Sequence, residues 1–279
     1  MTAFDGPLRR RWGYRSGGLG PDVNIIWMGF LGSLSAGALT AVGALGVYVI
    51  RTLSAKLEDA LLSMAAGIML AASFFSLILP AIDYGEGQFH SKTLAVVVVM
   101  VGILCGALAL FLMHRYLPHE HFLSGHEGPD TKALSRIWLF VIAITLHNFP
   151  EGMAVGVGFA GGNVANGMSL ATGIGIQNIP EGLAVSVSLI SVGYSRTQAF
   201  FVGSLTGLAE PIGGLLGSVA VSFTGPVMPW SLAFAAGAML FIISDEIIPE
   251  THRRGFENLA TFSLLIGFVG MMYLDATLG

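Results

Sequence analysis

Long apolar runs, broken by short polar connections, dominate the chain. A helix needs about 20 residues to cross ~30 Å of hydrocarbon. Eight runs reach that length: 25–50, 60–82, 94–113, 137–160, 168–192, 198–221, 230–249 and 258–278. They predict an all-α integral membrane protein of eight transmembrane helices, with residues 25–279 as one transmembrane domain in the lipid bilayer. Residues 1–24 form a polar, Gly-rich N-terminal tail. Its Arg9-Arg10-Arg11 is like a twin-arginine signal, but the following apolar run is too long for a signal core. The tail is therefore read as mature chain.

Composition points the same way. Hydrophobic residues make up 54% of the chain and charged residues 11%, against about 25% charged in an ordinary soluble domain. Soluble enzymes are excluded, and so are secreted disulfide scaffolds, because Cys105 is the one cysteine. A net charge of −4 leaves no basic footprint for nucleic acid. Lysine and arginine instead set the topology. The connections after the first, third, fifth and seventh spans carry Arg51, Lys56, Arg115, Lys132, Arg136, Arg196, Arg253 and Arg254, whereas the opposite connections carry only Lys92. The first side is expected to be cytoplasmic, in the inner (plasma) membrane, with both termini outside. The tail arginines oppose this, and the consistent interior connections outweigh them.

The chain also repeats itself. His147-Asn148-Phe149-Pro150-Glu151-Gly152 in the fourth span returns as Gln177-Asn178-Ile179-Pro180-Glu181-Gly182 in the fifth. Phe30-Leu31-Gly32-Ser33-Leu34-Ser35 is answered by Phe201-Val202-Gly203-Ser204-Leu205-Thr206, and Ala65-Ala66-Gly67-Ile68-Met69-Leu70 by Ala235-Ala236-Gly237-Ala238-Met239-Leu240. Spans one and six run in opposite directions, as do two and seven, which predicts a 3+2+3 inverted-repeat arrangement. Such repeats belong to secondary transporters, whose sites lie near the midplane between them. Gly102-x-x-x-Gly106, Gly203-x-x-x-Gly207 and Gly213-x-x-x-Gly217 permit close helix contacts. These contacts would serve within one chain or in a homodimer.

The chemistry lies in charge. Between Arg136 and Arg196 there is no lysine or arginine, yet Glu151 and Glu181 stand in mid-span, and Glu210 adds a third carboxylate. Each costs roughly 2.5–3.5 kcal/mol at a helix centre. Either these groups are protonated or they surround a cation. Residues four apart share a helix face, so His147 projects with Glu151 and Gln177 with Glu181. Asn148 and Asn178 extend the polar surface sideways. Pro150 and Pro180 predict kinks that free the carbonyls of Leu146 and Ile176, which is tolerable where backbone lines a hydrated cavity. Imidazole, carboxylate and amide oxygen suit a borderline divalent ion such as zinc, iron(II) or cadmium, and no thiolate is at hand for copper(I). Met69 offers a thioether. Asp245 and Glu246 fall toward the cytoplasmic end of span seven, where solvent would reach them, while Asp83 and Asp275 cap or face water.

At these residues the chain resembles the ZIP family of divalent metal transporters, especially its bacterial members. The resemblance covers all eight spans and rests on the doubled Asn-x-Pro-Glu-Gly segments. It implies a metal pathway through spans four and five, with spans one, two and six around them. One metal position would use Met69, His147, Glu151, Gln177 and Glu181; a neighbouring one would use Asn148, Glu151, Asn178, Glu181 and Glu210. Many relatives carry His at the position of Gln177, and some carry Asp at that of Asn178. The loop of residues 114–136, with His114, His119, His121 and His126, is like the family's His-containing cytoplasmic loop.

The expected function is carrier-mediated movement of zinc, cadmium or iron(II) toward the cytoplasm, by alternating access and with no catalytic cofactor. The ion would occupy a mononuclear or binuclear site. An intramembrane metalloprotease would need His-Glu-x-x-His, whereas here the order is His-x-x-x-Glu. The remaining rivals are a proton-coupled carrier of another solute and a cation channel.

Overall fold

The computed structural model describes residues 23–50, 52–116, 119–121, 125–127, 136–161, 164–191, 193–223 and 227–278. Nearly all of the predicted tail, and much of the 114–136 loop, lie outside the described residues. The described residues are almost wholly helical. In chain order they form α1 (Val23–Ala44), α2 (Ala55–Ala71), α3 (Leu79–Phe89), α4 (Lys92–Tyr116), α5 (Arg136–Ala160), α6 (Val164–Ser191), α7 (Arg196–Thr206), α8 (Ala209–Phe223), α9 (Met228–Ile242), α10 (Ile248–Thr251) and α11 (Glu257–Leu278). Between α4 and α5 a small antiparallel ribbon pairs β1 (His119–His121) with β2 (Gly125–Glu127).

Among the described residues, six stretches are long and apolar enough to cross a membrane: Asn24–Tyr48, Ala55–Phe89, Lys92–Tyr116, Arg196–Ser222, Met228–Thr251 and Glu257–Leu278. Helices α5 and α6, of 25 and 28 residues, are as long but carry the polar doubled motif. Serines open several of the helices, Ser91 among them at the start of α4, where its Oγ accepts from Leu94 N at 3.3 Å. Ser54 caps α2, its Oγ accepting from Leu57 N at 3.3 Å, and Ser195 forms a reciprocal capping box with Gln198 at the start of α7.

Local deviations follow from the sequence. Pro211 has no N–H and would clash with the carbonyl of Gly207, so α7 stops and α8 begins afresh with Glu210 in its first turn. Pro150 and Pro180, where kinks were predicted, lie inside unbroken helices. Two π-helical stretches widen otherwise continuous helices, Ala72–Ile78 between α2 and α3 and Ile243–Ile247 between α9 and α10. Each follows one of the matched Ala-Ala-Gly segments. Such insertions shift the register of the residues beyond them and gather at functional sites.

The helices pack as two groups. The motif helices α5 and α6 stand with α1, α7 and α8, whereas α2 packs on α11 and α4 on α9. Four crossings share one device, in which a glycine on each helix lies against the backbone of the other. Gly182 meets Thr40 and Gly43 meets Ile179 where α6 crosses α1; Gly152 meets Glu210 and Gly213 meets Phe149 where α5 crosses α8. Gly67 and Gly267 join α2 to α11, and Gly106 and Gly237 join α4 to α9, in the same way. The small-residue motifs therefore do make close contacts, as their spacing predicted. The outer faces of α4 and α11 expose Leu94, Leu104, Phe262 and Ile266, which suits a lipid environment.

A Cβ on Gly182 would lie 2.1 Å from the Thr40 carbonyl oxygen. Gly182→Val should therefore destabilise the fold by about 1–3 kcal/mol. The check is the thermal midpoint of the purified protein against Gly87→Ala, whose added Cβ meets nothing within 4 Å. Equal midpoints would contradict the packing described.

Candidate metal site

The doubled motif places its polar side chains on the inner faces of α5 and α6. His147, Asn148 and Glu151 come from α5; Gln177, Asn178 and Glu181 come from α6; Glu210 comes from the start of α8. All are buried, with Asn148, Glu151, Gln177, Asn178 and Glu210 having no exposure at all. Amides link the helices. Gln177 Nε2 donates to Glu151 Oε1 at 2.7 Å, tying α6 to α5. Asn178 Nδ2 donates to Glu210 Oε1 at 2.7 Å and to the Ala36 carbonyl at 2.9 Å, tying α6 to α8 and α1.

These bonds satisfy only half of each group. Glu151 Oε2, Gln177 Oε1, Asn178 Oδ1, Glu210 Oε2 and both amide atoms of Asn148 are buried without a hydrogen-bond partner. Leaving such a group unsatisfied costs about 1–3 kcal/mol, and more if it is charged. All but one of these atoms are acceptors, which is the imbalance a cation relieves. Among the described residues, no lysine or arginine pairs with Glu151, Glu181 or Glu210.

His147, Glu151 and Glu181 line a cavity of about 50 Å³ that runs past Glu246 to Glu58 and Glu250, near the start of α2 and in α10. The space suffices for a few waters or a partly hydrated ion. Met69 is fully buried in the apolar core and is absent from the cavity wall.

The structure adds residues that the spacing did not single out. His147 Nε2 lies 2.6 Å from Glu246 Oε2, at ion-pair distance though not aligned as a hydrogen bond. Ligand atoms of His114, His147 and Glu246 fall within 4.8 Å of one another, a second group able to hold a metal. Two expectations are corrected here. His114 belongs to the last turn of α4 and is 2% exposed, not part of a solvated loop; Glu246 is 8% exposed, not washed by solvent. Glu246 lies four residues beyond the buried Ile242 and three beyond Ile243, on the same inner face, while the Asp245 side chain beside it stays 45% exposed. A signal was available in the repeat itself. Ser76 and Glu246 stand at the same offset from Leu70 and Leu240, so each repeat carries one polar residue there. Ser76 Oγ donates to Asp275 Oδ1 at 2.7 Å, which gives Asp275 a specific partner in place of plain solvent.

With this geometry in view, comparisons with known proteins give the class. The family model described as ZIP Zinc transporter matches residues 118–275. The chain is 47% identical to "Zinc transporter GufA" of Myxococcus xanthus, over 90% of this chain and 99% of that protein. It is 45% identical to "Zinc transporter ZIPB" of Bordetella bronchiseptica, over 89% and 81% of the two chains, and 33% identical to human "Zinc transporter ZIP11", over 91% and 98%. The chain therefore belongs to the ZIP zinc transporter family. Its members are membrane transporters rather than enzymes, in keeping with the missing protease motif.

Replacing Asn178 by Asp sets a second carboxylate against Glu210. Asn178→Asp should lower the thermal midpoint in chelator, and added zinc should raise it by more than it raises wild type. Equal zinc responses in a thermal melt would show that no ion visits this pair.

Proposed function

We propose that the chain carries divalent metal cations, zinc foremost and cadmium or iron(II) as related cargo, across the inner membrane toward the cytoplasm by alternating access. The observation that carries this reading is the set of buried carboxylates on α5, α6 and α8, which pair with no lysine or arginine among the described residues and lie beside unsatisfied oxygens. The names of the relatives support zinc as the cargo. His147, Glu151, Gln177 and Glu181 would form one ion position, and Asn148, Asn178 and Glu210, sharing the motif glutamates, its neighbour. Met69 completes the first position on the resemblance alone.

The reading extends to architecture. Residues 25–279 would be one transporter domain of eight spans in a 3+2+3 inverted repeat, with α5 and α6 as the central pair. The matched glycine crossings favour it: α6 meets α1 as α5 meets α8, and α2 meets α11 as α9 meets α4. A rocking or sliding of the α1/α5/α6/α7/α8 group against the other helices would expose the site to each side in turn. Positive residues near one end of the bundle favour that end as cytoplasmic and both termini as outside. There Arg196 Nη1 donates to the Tyr48 carbonyl at 3.3 Å, and Arg254 reaches Glu58. The 114–136 loop would then lie on the cytoplasmic side. The apolar outer faces of α4 and α11 suit lipid or a second copy of the chain.

The deciding experiment is zinc and cadmium uptake into proteoliposomes. Glu181→Ala should lose roughly tenfold or more of the uptake, since metal sites commonly lose 10–100-fold when a supporting group is removed. Undiminished uptake would contradict the assignment, and a metal-dependent electrical conductance would identify a channel instead.

A further inference from the structure

Where the cavity reaches the start of α2 and the end of α10, the guanidinium of Arg254 stands among three carboxylates, one of which Arg253 shares. Arg254 Nη1 lies 2.9 Å from Glu58 Oε2 and 3.4 Å from Asp59 Oδ1, and Nη2 lies 3.4 Å from Glu250 Oε1. The second oxygen of Glu250 accepts from Arg253 Nη2 at 2.6 Å. The cluster is largely buried: side-chain exposure is 13% for Arg254, 11% for Glu58, 6% for Glu250 and zero for Asp59. Glu58 and Glu250 belong to the same cavity wall as Glu151 and Glu181. Asp59 Oδ2 is buried and has no hydrogen-bond partner.

Several carboxylates gathered by one cavity are what a divalent cation takes as oxygen ligands. On the transport reading, a released ion passes this wall. An acidic cluster left to itself there would hold the ion rather than let it go. The planar guanidinium has donors enough to engage three carboxylates at once, and their proximity to it makes it the shared counter-charge. The same contacts join α2 to the turn after α10, so a purely structural role must be told apart from an electrostatic one.

We infer that Arg254 is a built-in counter-ion to the acidic cluster of Glu58, Asp59 and Glu250, two of which line the cavity, and keeps that cluster from retaining the transported metal. It acts through these carboxylates and touches no cargo, which makes it a positioning residue for release. The inference rests on the proposed transport function.

The test counts cadmium bound to the purified full chain in detergent and measures cadmium uptake into proteoliposomes. Arg254→Gln should bind one further cadmium ion per chain and take up cadmium several-fold more slowly, whereas Arg254→Lys, which keeps the charge, should hold the wild-type number. Combining Arg254→Gln with Glu58→Gln and Glu250→Gln should remove the extra ion and restore uptake. An unchanged count in Arg254→Gln, or an extra ion that persists in the triple variant, would overturn the inference. Should Arg254→Gln fail to fold, Glu58→Gln with Arg254 intact decides the matter. Uptake near wild type is expected, because the guanidinium already silences that carboxylate; a several-fold loss would overturn the proposal. The binding count needs no transport, so wild-type vesicles that move no metal would refute the transport reading and leave the count to judge Arg254.

Discussion

Three glutamates buried in an apolar helical bundle, with no lysine or arginine to meet them among the described residues, form the constraint on which this structure turns. Taking an ionised carboxylate out of water is expensive unless charge and hydrogen bonds are returned to it. The fold returns part of this. Gln177 gives Glu151 one hydrogen bond, and Asn178 gives Glu210 another while holding the Ala36 carbonyl. Both amides are neutral, so they can orient a carboxylate but cannot balance its charge. What remains is a surplus of oxygen acceptors aimed inward, which a mobile cation can satisfy and a fixed salt bridge would spoil.

That requirement shapes the packing around it. Side chains from three helices must approach closely, and glycine at the crossings lets the backbones do so. Gly152 against Glu210 and Gly182 against Thr40 both sit one residue after a motif glutamate. The residue that anchors each carboxylate is thus followed by the one that brings the neighbouring helix near. Farther along the cavity the balance changes. Glu58 and Glu250 are matched by guanidinium groups, whereas Glu246 faces His147, a group that both binds metals and carries charge only when protonated. The wall therefore grades from acceptors without counter-charge at the motif to acceptors already paired near the helix ends.

Much of this was legible in the sequence. The helices, the doubled motif and the burial of its glutamates all follow from apolar run length and the absence of Lys and Arg between Arg136 and Arg196. Helical spacing placed His147 with Glu151, and the cavity holds both. Three features escaped it. The helical break at Gly207–Leu208 depends on Pro211 acting back on the preceding turn, although an apolar run reads as continuous there. The burial of Glu246 depends on α2 packing against the end of its span, a tertiary contact that a place near the helix end does not disclose. Two of the partners of Arg254, Glu58 and Asp59, lie nearly 200 residues away in the chain at α2, a tertiary fact that local pattern cannot carry. Met69 remains the residue for which family likeness and geometry differ in emphasis, since it packs within the apolar core.

The central claim is that the twin motif segments share a cation between their carboxylates. Anomalous scattering at the zinc edge, from crystals of the protein grown with zinc, addresses this without recourse to transport. The account requires a peak bonded to Glu151 and Glu181, with carboxylate oxygens at roughly 2.0–2.2 Å as in ordinary zinc sites. Crystals saturated with zinc whose anomalous map is blank between α5 and α6, with those two side chains turned apart, would contradict it.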